Sequence, residues 1–246
     1  MKSSTAASPN VVRHLMRKVL TLIFIFIFTL SYGQNLPHPE INLKGQSLND
    51  FVPHGWTIID SAKGDLNKDG IADNVIILQH KDKITLIKFK DTIITQPRIL
   101  LILFKRLSDN YLHLEERSDS FILSPESSIM DDPYQGIRIE NGILKMDFHL
   151  FYNIGNWFTT KSTYKFRFDK KRFVLIGTEL LKINRETLDY EKYSFNFIIN
   201  KQIYTKGNED NGTKKTMLKQ ILISKPKTFK TFYKPYSWEI EKGIYL

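Results

Sequence analysis

Through the second half of this chain, apolar and polar side chains alternate for seven or eight residues at a time. Leu144, Met146, Phe148 and Leu150 fall on one side of the count, and Lys145, Asp147 and His149 on the other. A period of two sends successive side chains to opposite faces of an extended backbone, whereas a helix repeats its apolar stripe every three or four residues. The pattern recurs in Tyr164, Phe166 and Phe168 against Lys165, Arg167 and Asp169, turns at Asp169-Lys170-Lys171, and returns as Phe173 to Gly177. Tyr193, Phe195, Phe197 and Ile199 make a further aromatic-faced strand. Each reads as antiparallel sheet with one wet face, and Asn141-Gly142 supplies the hairpin turn that leads into the first of them.

The first half carries continuous apolar runs instead. Val75 to Leu78 and Ile99 to Phe104 are too short to cross a membrane, and their Ile and Leu content predicts central strands buried on both faces. Tyr111 to Leu114, following the Ser108-Asp109-Asn110 turn, pairs as a hairpin partner. Ser124 to Tyr134, with two prolines, reads as a loop. Two short helices are expected, one capped by Ser47 and running to Phe51, the other over Lys214 to Ile223 with Thr213 as cap. The expected fold is mainly β, with antiparallel sheets packed as a sandwich or partly open barrel. No period repeats along the chain, so a full propeller is not expected.

Residues 1–33 read as a signal peptide: basic Arg13, Arg17 and Lys18, an apolar run from Val19 to Leu30, then small residues before Gln34. Met16-Arg17-Lys18 makes a conventional start by itself, which offers Met16 as an alternative initiator. Residues 34–54 read as an extended lead-in and 55–246 as a single mainly-β domain, with a split between Asp119 and Gln135 the alternative. The formal charge of +10 includes four basic leader residues, so cleavage leaves about +6. The expectation is a periplasmic or extracellular protein with no transmembrane span after cleavage and no nucleic-acid partner. The chain has no Cys, which excludes disulfides, thiolate metal sites and a Cys nucleophile.

One loop carries a chemical motif. Asp65, Asn67, Asp69 and Asp73 place side-chain oxygens at positions 1, 3, 5 and 9 of Asp65-Leu66-Asn67-Lys68-Asp69-Gly70-Ile71-Ala72-Asp73, Ile71 can offer its carbonyl at 7, and Gly70 permits the sharp turn. Close carboxylates repel one another unless a cation sits among them, so a structural Ca²⁺ is expected. Position 12 is Ile76, where an EF-hand needs a bidentate Glu, and the exit has strand character. The phrase from Gly64 to Asp73 therefore resembles the calcium loops of FG-GAP and VCBS-type repeats, which join two strands of a propeller-like blade. Together with Gly55-Trp56, Asp132-Pro133-Tyr134, Tyr164 to Phe168 and Phe173 to Gly177, it is similar to a group of exported bacterial proteins of unknown function with one such loop. That resemblance implies calcium and export, and it brings no activity with it.

Other residues offer weaker chemistry. The histidines show no metal-ligand spacing, and no nucleophile elbow occurs. Glu126, Asp131 and Asp132 are the carboxylates on which a hydrolase of envelope or extracellular polymer would draw. Tyr152 and Trp157, with Tyr134, are candidates for stacking against a sugar or peptide, the alternative being that they cover the end of the sandwich. Seven lysines between Lys214 and Lys234, interleaved with Phe229, Phe232, Tyr233 and Tyr236, form either a surface for polyanion or lipid or a protected sheet edge. These readings converge on an exported, calcium-stabilised binding or accessory protein of the cell envelope, whose partner is envelope polysaccharide or another envelope protein.

Overall fold

The computed structural model describes residues 38–88, 91–223 and 225–246; the leader expected at 1–33 lies outside the described residues. In chain order the strands are β1 (Lys44–Gly45), β2 (Trp56–Gly64), β3 (Asp73–His80), β4 (Ile84–Lys88), β5 (Asp91–Thr95), β6 (Arg98–Lys105), β7 (Leu112–Ser118) and β8 (Tyr134–Glu140). They continue as β9 (Ile143–Leu150), β10 (Phe158–Asp169), β11 (Arg172–Asn184), β12 (Asp189–Asn196), β13 (Lys201–Asn208), β14 (Lys214–Gln220), β15 (Glu239–Glu241) and β16 (Ile244–Tyr245). A five-stranded sheet runs in the order β1-β7-β6-β3-β2, and a seven-stranded meander in the order β14-β13-β12-β11-β10-β9-β8. Every pairing is antiparallel, and the sheets do not close into a barrel.

The alternating strands of the second half bury one face each, as their period requires. Leu144, Met146, Phe148, Tyr164, Phe166, Phe173, Leu175 and Phe195 line the inner face of the seven-stranded sheet. They meet Val75, Ile77, Leu100, Ile102 and Phe104 from the five-stranded sheet in one core. The opposite residues of β3 and β6, among them Ile76, Leu78, Leu101 and Leu103, are buried too, in a second cluster with Phe51, Trp56 and Leu112. Both central strands are thus covered on both faces, which explains their unbroken apolar runs. The cover on the second face comes from the segment read as a lead-in. It contributes β1, paired to β7, and a 3₁₀ turn over Leu48–Phe51 whose Asp50 carboxylate accepts the Gln46 and Ser47 N–H groups at 2.7 and 2.9 Å.

Three expectations are corrected. Lys214–Gln220 is strand β14 at the edge of the large sheet, not a helix. Its seven residues are all exposed, so no buried face selects a period, and pairing with β13 decides the conformation. Of the tail aromatics, Phe229 and Phe232 turn inward to the core; Phe229 stacks on Phe166 with ring centroids 4.2 Å apart. The strand read through Tyr193, Phe195, Phe197 and Ile199 ends at Asn196, and residues 197–200 turn instead. The connection between β7 and β8 is irregular, as read from Ser124 onward, and just ahead of that stretch Phe121, Ile122 and Leu123 enter the core. Phe121 is fully buried and meets Phe148, Tyr164, Phe166, Phe229 and Phe232 edge-on at 5.1–6.3 Å, the arrangement that the ring quadrupoles favour. Among the described residues no helix is long and apolar enough to cross a membrane.

Candidate functional site

The acidic loop joins β2 to β3. Lys68 and Gly70 take left-handed backbone angles (φ 65° and 85°), which fold the loop so that its side chains accept its own N–H groups. Asp65 accepts from Lys68 N at 2.6 Å and Gly70 N at 2.9 Å. Asn67 accepts from Asp69 N at 3.0 Å and donates to Asp69 Oδ2 at 2.9 Å, while Asp69 Oδ1 accepts from Ile71 N at 2.8 Å. Asp73 differs from the others in being fully buried. It accepts from Leu66 N at 2.9 Å and, across to β6, from Lys105 N at 3.1 Å. Burial raises its pKa to about 6, against the opposing pull of these N–H groups. The donor set is all oxygen and suits a hard cation, each carboxylate keeping lone pairs beyond those its N–H partners occupy. Among the described residues, no three Asp, Glu, His or Cys side chains are gathered as a metal-holding group.

Asp132 and Tyr134 belong to a polar clasp between the sheets. Arg98, the first residue of β6, is buried and donates Nη1 to Asp132 Oδ1 at 2.7 Å and Nη2 to Asp132 Oδ2 at 2.5 Å. Its Nε donates to Gln79 Oε1 at 2.8 Å, and Nη1 donates also to the Leu123 carbonyl at 2.7 Å. The guanidinium lies 5.7 Å from the Tyr134 ring centroid, and the Tyr134 hydroxyl donates to Asp60 Oδ2 at 2.7 Å. Burial and the Asp60 carboxylate push the Tyr134 pKa well above the ordinary phenol value. Asp60 also accepts from Ile137 N at 3.2 Å, so β2 and β8 are tied where the sheets meet. Arg98 and Asp60 are the members that sequence reasoning missed. The available signal was a lone Arg at the head of six apolar residues, since a buried guanidinium needs a carboxylate.

Tyr134 is therefore held apart from the other two stacking candidates. Trp157, 66% exposed, lines a cleft of about 430 Å³ with Asn153, Gly155, Asn156, Arg185 and Glu186. Arg185 organises that rim: its Nη1 donates to the Tyr152 carbonyl at 2.8 Å, and its guanidinium lies 4.3 Å from the Phe151 ring centroid. Tyr152 contributes this carbonyl and a bridge to Met130 rather than a face in the cleft. None of the three candidate carboxylates lines it either. Glu126 pairs with Lys234, Asp131 accepts from Asn153 Nδ2 at 3.0 Å, and Asp132 holds Arg98.

A second cleft, of about 440 Å³, lies on the seven-stranded sheet and is lined by residues including Asp147, His149, Lys161, Thr163, Glu179, Leu181 and Lys192. Here Asp147 is bonded to Arg138 and to Thr163 Oγ1 (2.5 Å), and Glu179 to Lys165 and Ser194, both at 2.8 Å. His149 Nε2 lies 2.6 Å from Thr159 Oγ1, and burial, with Lys161 beside it, lowers its pKa. Of the tail lysines, Lys219 pairs with Glu241 and Lys227 lies over the Trp238 ring at 4.8 Å. Compared with protein-family models, with curated proteins and with solved structures, the chain finds no match.

Proposed function

We propose that this is an exported, calcium-stabilised β-rich binding or accessory protein of the cell envelope. The observation that carries the calcium part is Asp73, a fully buried carboxylate at position 9 of the loop whose partners among the described residues are backbone N–H groups. A divalent cation beside it would offset the burial cost and draw on Asp65, Asn67, Asp69 and the Ile71 carbonyl. Such a cation stiffens a hairpin whose second strand is central to the smaller sheet, which is a structural role. The leader-like segment 1–33 supports export. The hydrolase reading draws less support, since Glu126, Asp131 and Asp132 each have a separate partner and none lines the cleft beside Trp157.

Extracellular calcium modules bind at about 10⁻⁴–10⁻³ M. At the tighter end, about 10 mM Ca²⁺ is a hundredfold excess over Kd and stabilises by about 2.7 kcal/mol. For a domain of this size that raises Tm by roughly 5–10 °C. Calorimetric titration and thermal melts of the wild type and of Asp65→Ala/Asp69→Ala test this. No heat and no melting shift in the wild type, or the same shift in the variant, would refute the calcium reading.

A further inference from the structure

The two clefts lie along one pair of strands. In β10 the polar residues Thr163, Lys161 and Thr159 alternate with Tyr164 and Ser162, which are buried, so the first set lies on the outer face. The same alternation carries on to Trp157, whose carbonyl accepts the Arg185 N–H at 2.8 Å and so prolongs the β10–β11 ladder by one step. In β11 the matching outer residues are Glu179, Leu181 and Ile183, with Arg185 next in the series. Lys161 and Trp157 are four residues apart on this extended chain, about 13 Å at the usual strand rise. One neighbour across, Lys192 faces Leu181 in register, and Tyr190 faces Ile183. The Tyr190 ring lies across Gly207 of β13, where a Cβ would come within 2.7 Å of the ring, so the absence of a side chain there gives the ring its place.

The charge along this line is net positive. Asp147 and Glu179 are already neutralised by Arg138 and Lys165. Lys161 and Lys192 form no ion pair among the described residues, and with Arg185 they leave three cations against two carboxylates, Glu186 and the Asp131 bonded to Asn153 of the rim. The exposed Trp157 face and the half-buried Tyr190 ring, beside cations that form no ion pair among the described residues, match a polymer with apolar ring faces and regularly spaced negative groups. We infer that the outer face of β9–β12, from the Lys161–Lys192 cleft to Trp157, is an elongated binding track for an acidic, carboxylate-bearing oligosaccharide. The inference rests on the binding-module part of the reading above and names its ligand class. Trp157 supplies the stacking face, and Lys161 and Lys192 engage the carboxylates.

The test titrates the purified protein by calorimetry with hyaluronan hexasaccharide and with oligogalacturonate, and with neutral cellohexaose, polyglutamate and oligothymidylate as counter-probes. At least one acidic sugar should bind about tenfold more tightly than cellohexaose and lose affinity as salt is raised. Lys161→Ala/Lys192→Ala and Trp157→Ala should each weaken that binding about tenfold at unchanged Tm, and Lys161→Arg/Lys192→Arg should restore it. Failure of both acidic sugars to bind, binding that Trp157→Ala leaves intact, or equally tight polyglutamate or oligothymidylate would overturn the inference. The recovered sugar is sized after each titration: intact but unbound sugar sinks the track alone, whereas shortened sugar sinks the reading of a binding or accessory protein in favour of the hydrolase.

Discussion

Removing Asp132 should harm this fold more than removing the larger, more deeply buried Arg98. The Arg98 side chain is 5% exposed and that of Asp132 is 51% exposed. Asp132→Ala deletes two of the guanidinium's hydrogen bonds and leaves a buried charge held only by Gln79 and the Leu123 carbonyl. An uncompensated buried charge of this kind costs about 3–5 kcal/mol. Arg98→Met removes the charge itself, fills similar space, and returns a half-exposed carboxylate to water. What it leaves behind is an unpaired Leu123 carbonyl, about 1–3 kcal/mol, while the half-buried Gln79 amide can turn to water. The double variant should then resemble Arg98→Met, so the coupling energy is as large as the whole Asp132→Ala cost, about 3–5 kcal/mol. Urea unfolding followed by tryptophan fluorescence reads these differences as midpoint shifts at constant slope. The reasoning is refuted if Asp132→Ala shifts stability by less than about 1 kcal/mol, or if Arg98→Met costs more than Asp132→Ala.

The same pair sets part of the acid limb. Burial raises the Asp132 pKa, but the Arg98 hydrogen bonds, the Tyr134 N–H and the Arg98 charge outweigh it, and the net shift is downward from 3.8. A carboxylate with a depressed folded pKa contributes stability that is fully present above its unfolded value and is lost as pH falls through the folded one. Wild type should lose this contribution below about pH 3.8, and a pH series of urea midpoints on Asp132→Asn should lack it.

Two further outcomes follow from the packing. Phe121→Ala empties the hub of the aromatic cluster and should cost about 3–5 kcal/mol in urea unfolding; a loss below about 1.5 kcal/mol would mean that its five ring neighbours close over the gap. Lys170 and Lys171 both adopt left-handed angles (φ 48° and 62°) in the two-residue turn between β10 and β11. Replacing them with Asn-Gly should stabilise by about 0.5–1 kcal/mol and raise Tm by roughly 1–4 °C, and an unchanged or lower Tm would show that the lysines bear no such strain.

Strand identity was legible wherever burial imposed a period. The stretches around Leu144 to Leu150, Tyr164 to Phe168 and Tyr193 to Phe195 are strands with the expected faces inward, the last stopping at Asn196 short of Phe197 and Ile199, and the runs at Val75 and Ile99 are covered on both faces. Where burial imposed nothing the reading failed. Residues 214–220 have no buried face, so their lysines and single Leu and Met passed for a helix until β13 was there to pair with them. The role of Phe121 was hidden for the opposite reason. One buried aromatic in an irregular connection has no periodicity, and its five partners come from β9, β10 and the tail.

The candidate sites divide in the same way. The spacing of Asp65, Asn67, Asp69 and Asp73 is local, so it is written within nine residues and needs no fold to be seen. That Asp73 is buried and bonded to β6, that Asp132 serves Arg98, and that Trp157 shares a strand ladder with Lys161 and Lys192 are all long-range matters. The sequence by itself determined the antiparallel β character and the acidic hairpin loop, because both depend on neighbours a few residues apart. Only the tertiary structure decided which carboxylates are tied off and which cations are left facing solvent, because those assignments depend on strands far apart in the chain meeting in register.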